Sequence, residues 1–116
     1  MAVGLLGFRQ RNDLHSAYIE EKIAELNLAV HPDLIIMDGR KCFVTGGPAV
    51  GRVEEPNVIL ASGDRVAIDV EALKVLQSYK GDIEFDMNPW KFPQIKHAVE
   101  LGLGVKSKDE ILVVPE

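Results

Sequence analysis

The chain has 116 residues, 47 % hydrophobic and 27 % charged, with 13 basic against 18 acidic side chains and a net charge of −5. That profile fits one soluble globular domain over residues 1–116, long enough for a single core. One cysteine excludes an intrachain disulfide framework, a four-thiolate zinc site and an iron–sulfur cluster held by this chain alone. The acidic balance and 6 % aromatic content argue against a phosphate-neutralising surface and against base-stacking platforms, so no nucleic-acid partner is expected. The apolar run Ala2–Phe8 falls far short of the roughly 20 residues that span a bilayer. It lacks the basic flank and cleavage site of a secretory signal. No membrane partner and a cytoplasmic setting are therefore expected.

In chain order, Met1–Phe8 is apolar and Gly-containing, then passes at once into Arg9, Arg11 and Asp13. It reads either as the tail of an element paired with something upstream or as a frayed terminus. From Ser16 to Val30 the residues Ile19, Ile23, Leu26 and Val30 recur at helical spacing, with Ser16 as N-cap and Pro32 as the stop. Leu34–Met37 reads as a continuous apolar strand of the kind buried on both faces of a parallel sheet. It ends in Asp38-Gly39, which has turn chemistry.

Arg40–Asn57 is irregular, with a short strand at Cys42–Val44. Val58–Ala61 is a second buried strand, followed by Ser62-Gly63-Asp64 and a helix from Arg65 to about Tyr79. That helix is apolar around much of its circumference, which predicts packing on more than one side. Pro93 opens a last helix to about Leu101, with Gly102 and Gly104 at its end, and Ile111–Val114 reads as a final strand. The expected fold is α/β, a small mostly parallel sheet flanked by about three helices.

Ligands of open α/β sheets collect outside the carboxyl ends of strands. Asp38 and Asp64 could meet there to hold a divalent metal or move a proton. The bland alternative makes Asp64 a helix N-cap and Asp38 a turn residue. Asp69, set between Ile68 and Val70, is either a buried carboxyl needing a partner or part of a solvated helix face. Gly46, Gly47 and Gly51 sit in a loop whose amides could receive an anion or a cofactor, or which simply needs positive φ angles. His15 is the histidine best placed for chemistry, near Arg9, Arg11 and Asp13. Cys42 has no adjacent base and reads as an inert thiol. Trp90 reads as a core plug.

Read together, three blocks carry a resemblance. They are His31-Pro32-Asp33-Leu34-Ile35-Ile36-Met37-Asp38-Gly39, then Gly46-Gly47-Pro48 with Gly51, then Ile59 to Asp69. Pro93–Leu103 and Ile111–Val114 continue the order, so the likeness extends over about residues 11–115. The chain resembles the domain-of-unknown-function 362 family, uncharacterised proteins often associated with iron–sulfur modules. The resemblance implies a longer architecture of which this chain is the C-terminal portion. Arg11 and His15 would match a basic residue and a histidine ahead of the family's first helix. It also implies redox chemistry with electrons delivered from a cluster held elsewhere.

The expected role is then part of a ligand- or cofactor-binding, redox-associated protein. Asp38, Asp64, Asp69 and His15 would be the reactive groups, Asp38 and Asp64 the metal ligands, and Gly46, Gly47 and Gly51 the cofactor loop. The cofactor itself is not specified. Partners would be the missing N-terminal portion, a partner chain or a second copy. The competing readings are a non-catalytic scaffold or interaction domain, and a stand-alone metal- or phosphate-binding module.

Overall fold

A computed structural model of the chain describes residues 17–46, 50–79 and 86–115. Ile19, Ile23 and Leu26 share one stripe of helix α1 (Ile19–Leu26), and Ala24 on the same helix is fully buried. The helix is shorter than its apolar spacing predicts. The Asn27 side chain stops it by donating from Nδ2 to the Ile23 carbonyl at 2.7 Å, an internal substitute for the next helical bond. Tyr18, with φ of 54°, stands at the N-cap position; the expected cap Ser16 lies outside the described residues.

Strand β1 (Ile35–Gly39) leads into a hairpin, β2 (Cys42–Phe43) with β3 (Val53–Glu54), and then into β4 (Val58–Ser62). β1 and β4 pair antiparallel, with Ile35 opposite Ser62, Met37 opposite Leu60 and Gly39 opposite Val58. The expected mostly parallel sheet is therefore wrong. The described residues hold two antiparallel two-stranded sheets, β1–β4 and β2–β3. The reason is the connection. Parallel neighbours need a crossover, usually helical, whereas residues 40–57 fold back through the β2–β3 hairpin and return the chain in the opposite direction.

The continuous apolar runs also proved misleading as a sign of two-sided burial. Ile35, Met37, Val58 and Leu60 face inward, while Ile36 and Ile59 are each 66 % exposed on the outer face. Inside the hairpin, Val44 N–H donates to the Arg52 carbonyl at 2.9 Å and the Arg52 N–H to Thr45 Oγ1 at 2.9 Å. Gly51, with φ of 151°, could carry no side chain, because a Cβ would overlap the Thr45 carbonyl oxygen.

Helix α2 (Arg65–Gln77) lies under the β1–β4 sheet and also meets helix α3 (Pro93–Glu100). Its buried Val66 and Val70 join Ala24, Ile95 and Ala98 in the core. The core thus sits between three helices, with the small sheet along one side of α2. Trp90, on a 3-10 turn at Pro89–Lys91, packs against that cluster together with Phe92, Leu103 and Ile111.

The end of α3 closes as a Schellman motif. The Leu103 N–H reaches the Ala98 carbonyl and the Gly102 N–H the Val99 carbonyl, both at 3.0 Å, with Gly102 at φ 70°. A second 3-10 turn at Lys108–Glu110 precedes Ile111–Val114. That segment pairs in neither sheet, against the expectation of a final strand.

Candidate functional site

The antiparallel pairing decides where the sequence-predicted carboxylates fall. Asp38 lies opposite Ile59, whereas Asp64 follows Ser62, which lies opposite Ile35. The ladder from Ile35 to Asp38 alone measures about 10 Å at a rise of about 3.4 Å per residue. Two oxygens ligating one small cation each sit within about 2.6 Å of it, so Asp38 and Asp64 are not brought together. No group of three His, Cys, Asp or Glu side chains with metal-ligating geometry occurs among the described residues.

Each of the two carboxylates has a local occupation. Asp38 is exposed and holds Arg40 by a bidentate contact, with Arg40 Nη2 at 2.7 Å and Nε at 3.0 Å, while the Arg40 N–H donates to Oδ1 at 3.0 Å. The guanidinium bonds, followed by the backbone donor, hold its pKa down to about 2. Asp64 caps α2. Its Oδ1 accepts from the Val66 and Ala67 N–H groups, both at 2.8 Å. Its Oδ2 accepts from the Val105 N–H at 2.9 Å. The capping carboxylate therefore also ties the start of α2 to the segment after α3. Gly104 lies so close that a Cβ there would stand 2.5 Å from Asp64 Oδ1.

Asp69 has a different setting. It lies one turn along α2 from Arg65, largely enclosed, and Gln94 Nε2 of α3 donates to its Oδ2 at 2.9 Å. Burial pushes its carboxyl above the ordinary range, with the Gln94 bond acting in the opposite sense. A cavity of about 400 Å³ opens beside it, walled by β1 through Ile35 and Met37 and by Asn27, Val30, Arg65 and Ile68. A smaller space of about 210 Å³ lies on its other side, against Leu73, Phe92 and Ile95. Asp69 is the acidic residue common to both walls.

Arg65, which sequence reasoning passed over, forms the polar end of the larger cavity. Its Nη1 donates to the Asn27 carbonyl and, at 2.6 Å, to the Val30 carbonyl, while Nη2 lies 3.3 Å from His31 Nδ1. It thereby satisfies carbonyls at the exit of α1 that no later helical turn serves. These partners are 34 to 38 residues away in sequence, so no local pattern could have revealed them. Its place directly after the capping Asp64 was the available signal.

The remaining candidates scatter. Gly46 and Gly51 lie in the connection between β2 and β3, where both take positive φ. Gly47 and His15 lie outside the described residues. Cys42 is half-buried on β2, and burial, then the nearby Glu54, push its thiol up rather than toward a reactive thiolate. As the chain's single cysteine, Cys42 cannot by itself supply the thiolate ligands of an iron–sulfur cluster.

The class defined so far is a small mixed α/β protein, a three-helix core with the antiparallel β1–β4 sheet along α2 and a second antiparallel pair, β2–β3, and with a carboxyl-bearing cavity between β1 and α2. The family model for a domain of unknown function, DUF362, matches residues 1–74. The chain belongs to that family. The match contains every residue lining the larger cavity and stops before α3. It therefore carries the first three blocks of the resemblance and not the later ones. Comparison with curated proteins and with solved structures gives no match. Among the described residues, no helix is long and apolar enough to cross a membrane.

Proposed function

We propose that this chain contributes a small-molecule binding site to its protein, centred on Asp69 in the cavity between β1 and α2. The observation that carries this reading is Asp69 itself, an enclosed carboxyl with a raised pKa on the wall of a cavity of about 400 Å³. A volume of that size suits a small ligand. A perturbed carboxyl in a cleft is a recurrent mark of a working group. Apolar contacts from Ile35, Met37 and Ile68 would hold the ligand body, and Asp69 would accept a hydrogen bond from it or exchange a proton with it.

Should the ligand take part in the redox chemistry that the family resemblance implies, electrons would have to reach it from a cluster held by another module. A second reading, a non-catalytic scaffold, draws support from Asp64, whose carboxylate is taken up by three backbone donors.

The two readings part on a binding map. Imidazole, short-chain amines and short-chain carboxylic acids are added to the 15N-labelled chain, and amide shifts are followed. The site reading predicts that at least one class shifts Val30, Ile35, Met37, Ile68 and Asp69 together, and that Asp69→Asn abolishes the effect. If no class shifts those residues, or if Asp69→Asn responds as the wild type does, the scaffold reading stands instead.

A further inference from the structure

Beside the β1–β4 sheet runs a groove of about 600 Å³, separate from the Asp69 cavity. One wall is Ile59–Ser62 of β4, the other is Ile111–Val114, and Ala67, Glu71 and Val75 of α2 form the floor. Each wall is four residues long. β4 pairs with β1 along one edge, and among the described residues no backbone hydrogen bond joins its other edge to residues 111–115. Free edges of this kind are templates for another strand.

We propose that Ile111–Val114 is a strap that closes, as a third strand of the sheet, on the edge of β4 that is unpaired among the described residues. Its composition, Ile-Leu-Val-Val, is strongly strand-forming. Ile111 packs against the helical core, while Leu112, Val113 and Val114 stand exposed at 87 %, 59 % and 77 %. Pairing with β4 would give this run a two-residue period and turn Val113, the least exposed of the three, toward the groove.

The root of the strap is fixed at the correct end of β4. The Val105 N–H is held by Asp64 Oδ2, and the Lys106 N–H donates to Glu110 Oε2 at 3.3 Å across the Lys108–Glu110 turn. Only the segment beyond Glu110 has to move for its backbone to come within the ~5 Å spacing of paired strands from β4. Closure pairs the edge amides of β4 and seals the groove over α2.

Hydrogen exchange of the full chain tests this directly. The β4 amides that point away from β1, together with those of residues 112–114, are expected to be protected in the wild type. They are expected to lose that protection in Val113→Pro, which removes a donor and the strand conformation. Val113→Ile should keep it. Amides of β4 that face β1 should stay protected in all three, which separates loss of the strap from general unfolding. The proposal is overturned if the outward β4 amides exchange in the wild type like those of an unstructured peptide, or if Val113→Pro leaves their rates unchanged.

Discussion

At the scale of single residues, two aspartates show how one side chain takes its character from its surroundings. Asp38 is solvent-exposed yet strongly acidic, because Arg40 bonds it twice through its guanidinium and once through its backbone. Arg40→Ala should return its titration from about 2 toward the ordinary carboxylate range, read by 13C NMR. Asp69 shows the opposite case. Its folded-state pKa lies above the unfolded one, so the folded chain binds the proton more tightly. The stability this contributes is complete below the unfolded pKa and is lost as pH rises through the folded pKa. Asp69→Asn, which cannot ionise, should remove that part of the decline from a series of urea melts across pH. Both carboxylates stood out in the sequence, but their environments did not. Arg40 is two residues from Asp38 and was within reach of local reasoning. Gln94 is 25 residues from Asp69, and nothing in the spacing announces it.

At the scale of elements, the start of α2 is the most connected point of the fold. Asp64→Ala would remove a helix cap and leave the Val105 N–H without its acceptor. A lost cap costs about 1 kcal/mol and an orphaned buried donor about 1–3 kcal/mol. Denaturant melts should therefore show a loss of about 2–4 kcal/mol. Asp64→Asn, which keeps an acceptor oxygen, should lose less. The capping role was legible, since Ser62-Gly63-Asp64 precedes an apolar helical run. The grip on Val105 was not, because the contact crosses 41 residues. Strand positions were legible in the same sense, and strand direction was not. β1 and β4 are apolar enough to read as doubly buried, yet Ile36 and Ile59 stand outward. Pairing direction was set by the hairpin folded into residues 40–57, a stretch whose two-residue strands are too short to show a period.

At the scale of the whole molecule, stability rests on the helices and the candidate site on their junction with the sheet. Ile95 is the largest buried side chain of α3 and meets Val66 and Val70 in the core. Ile95→Ala should cost about 2–5 kcal/mol by transfer and cavity terms together, measured by the same melts. The three helices could be read from apolar spacing and from the Pro93 and Gly102 signals. Their meeting in one core beside the sheet could not, because it is a property of tertiary packing.

The same packing places Asp69 between two cavities and leaves Asp38 and Asp64 apart. Asp69 is thus the group on which binding in this cavity would depend. A 13C titration of the Asp69 carboxyl, with and without whichever of imidazole, amine or carboxylic acid shifts the cavity amides, reads that dependence at the group itself. The midpoint is expected above the ordinary carboxylate range and is expected to move when the compound is added. A midpoint in the ordinary range, unchanged by the compound, would mean that Asp69 holds no ligand in this cavity.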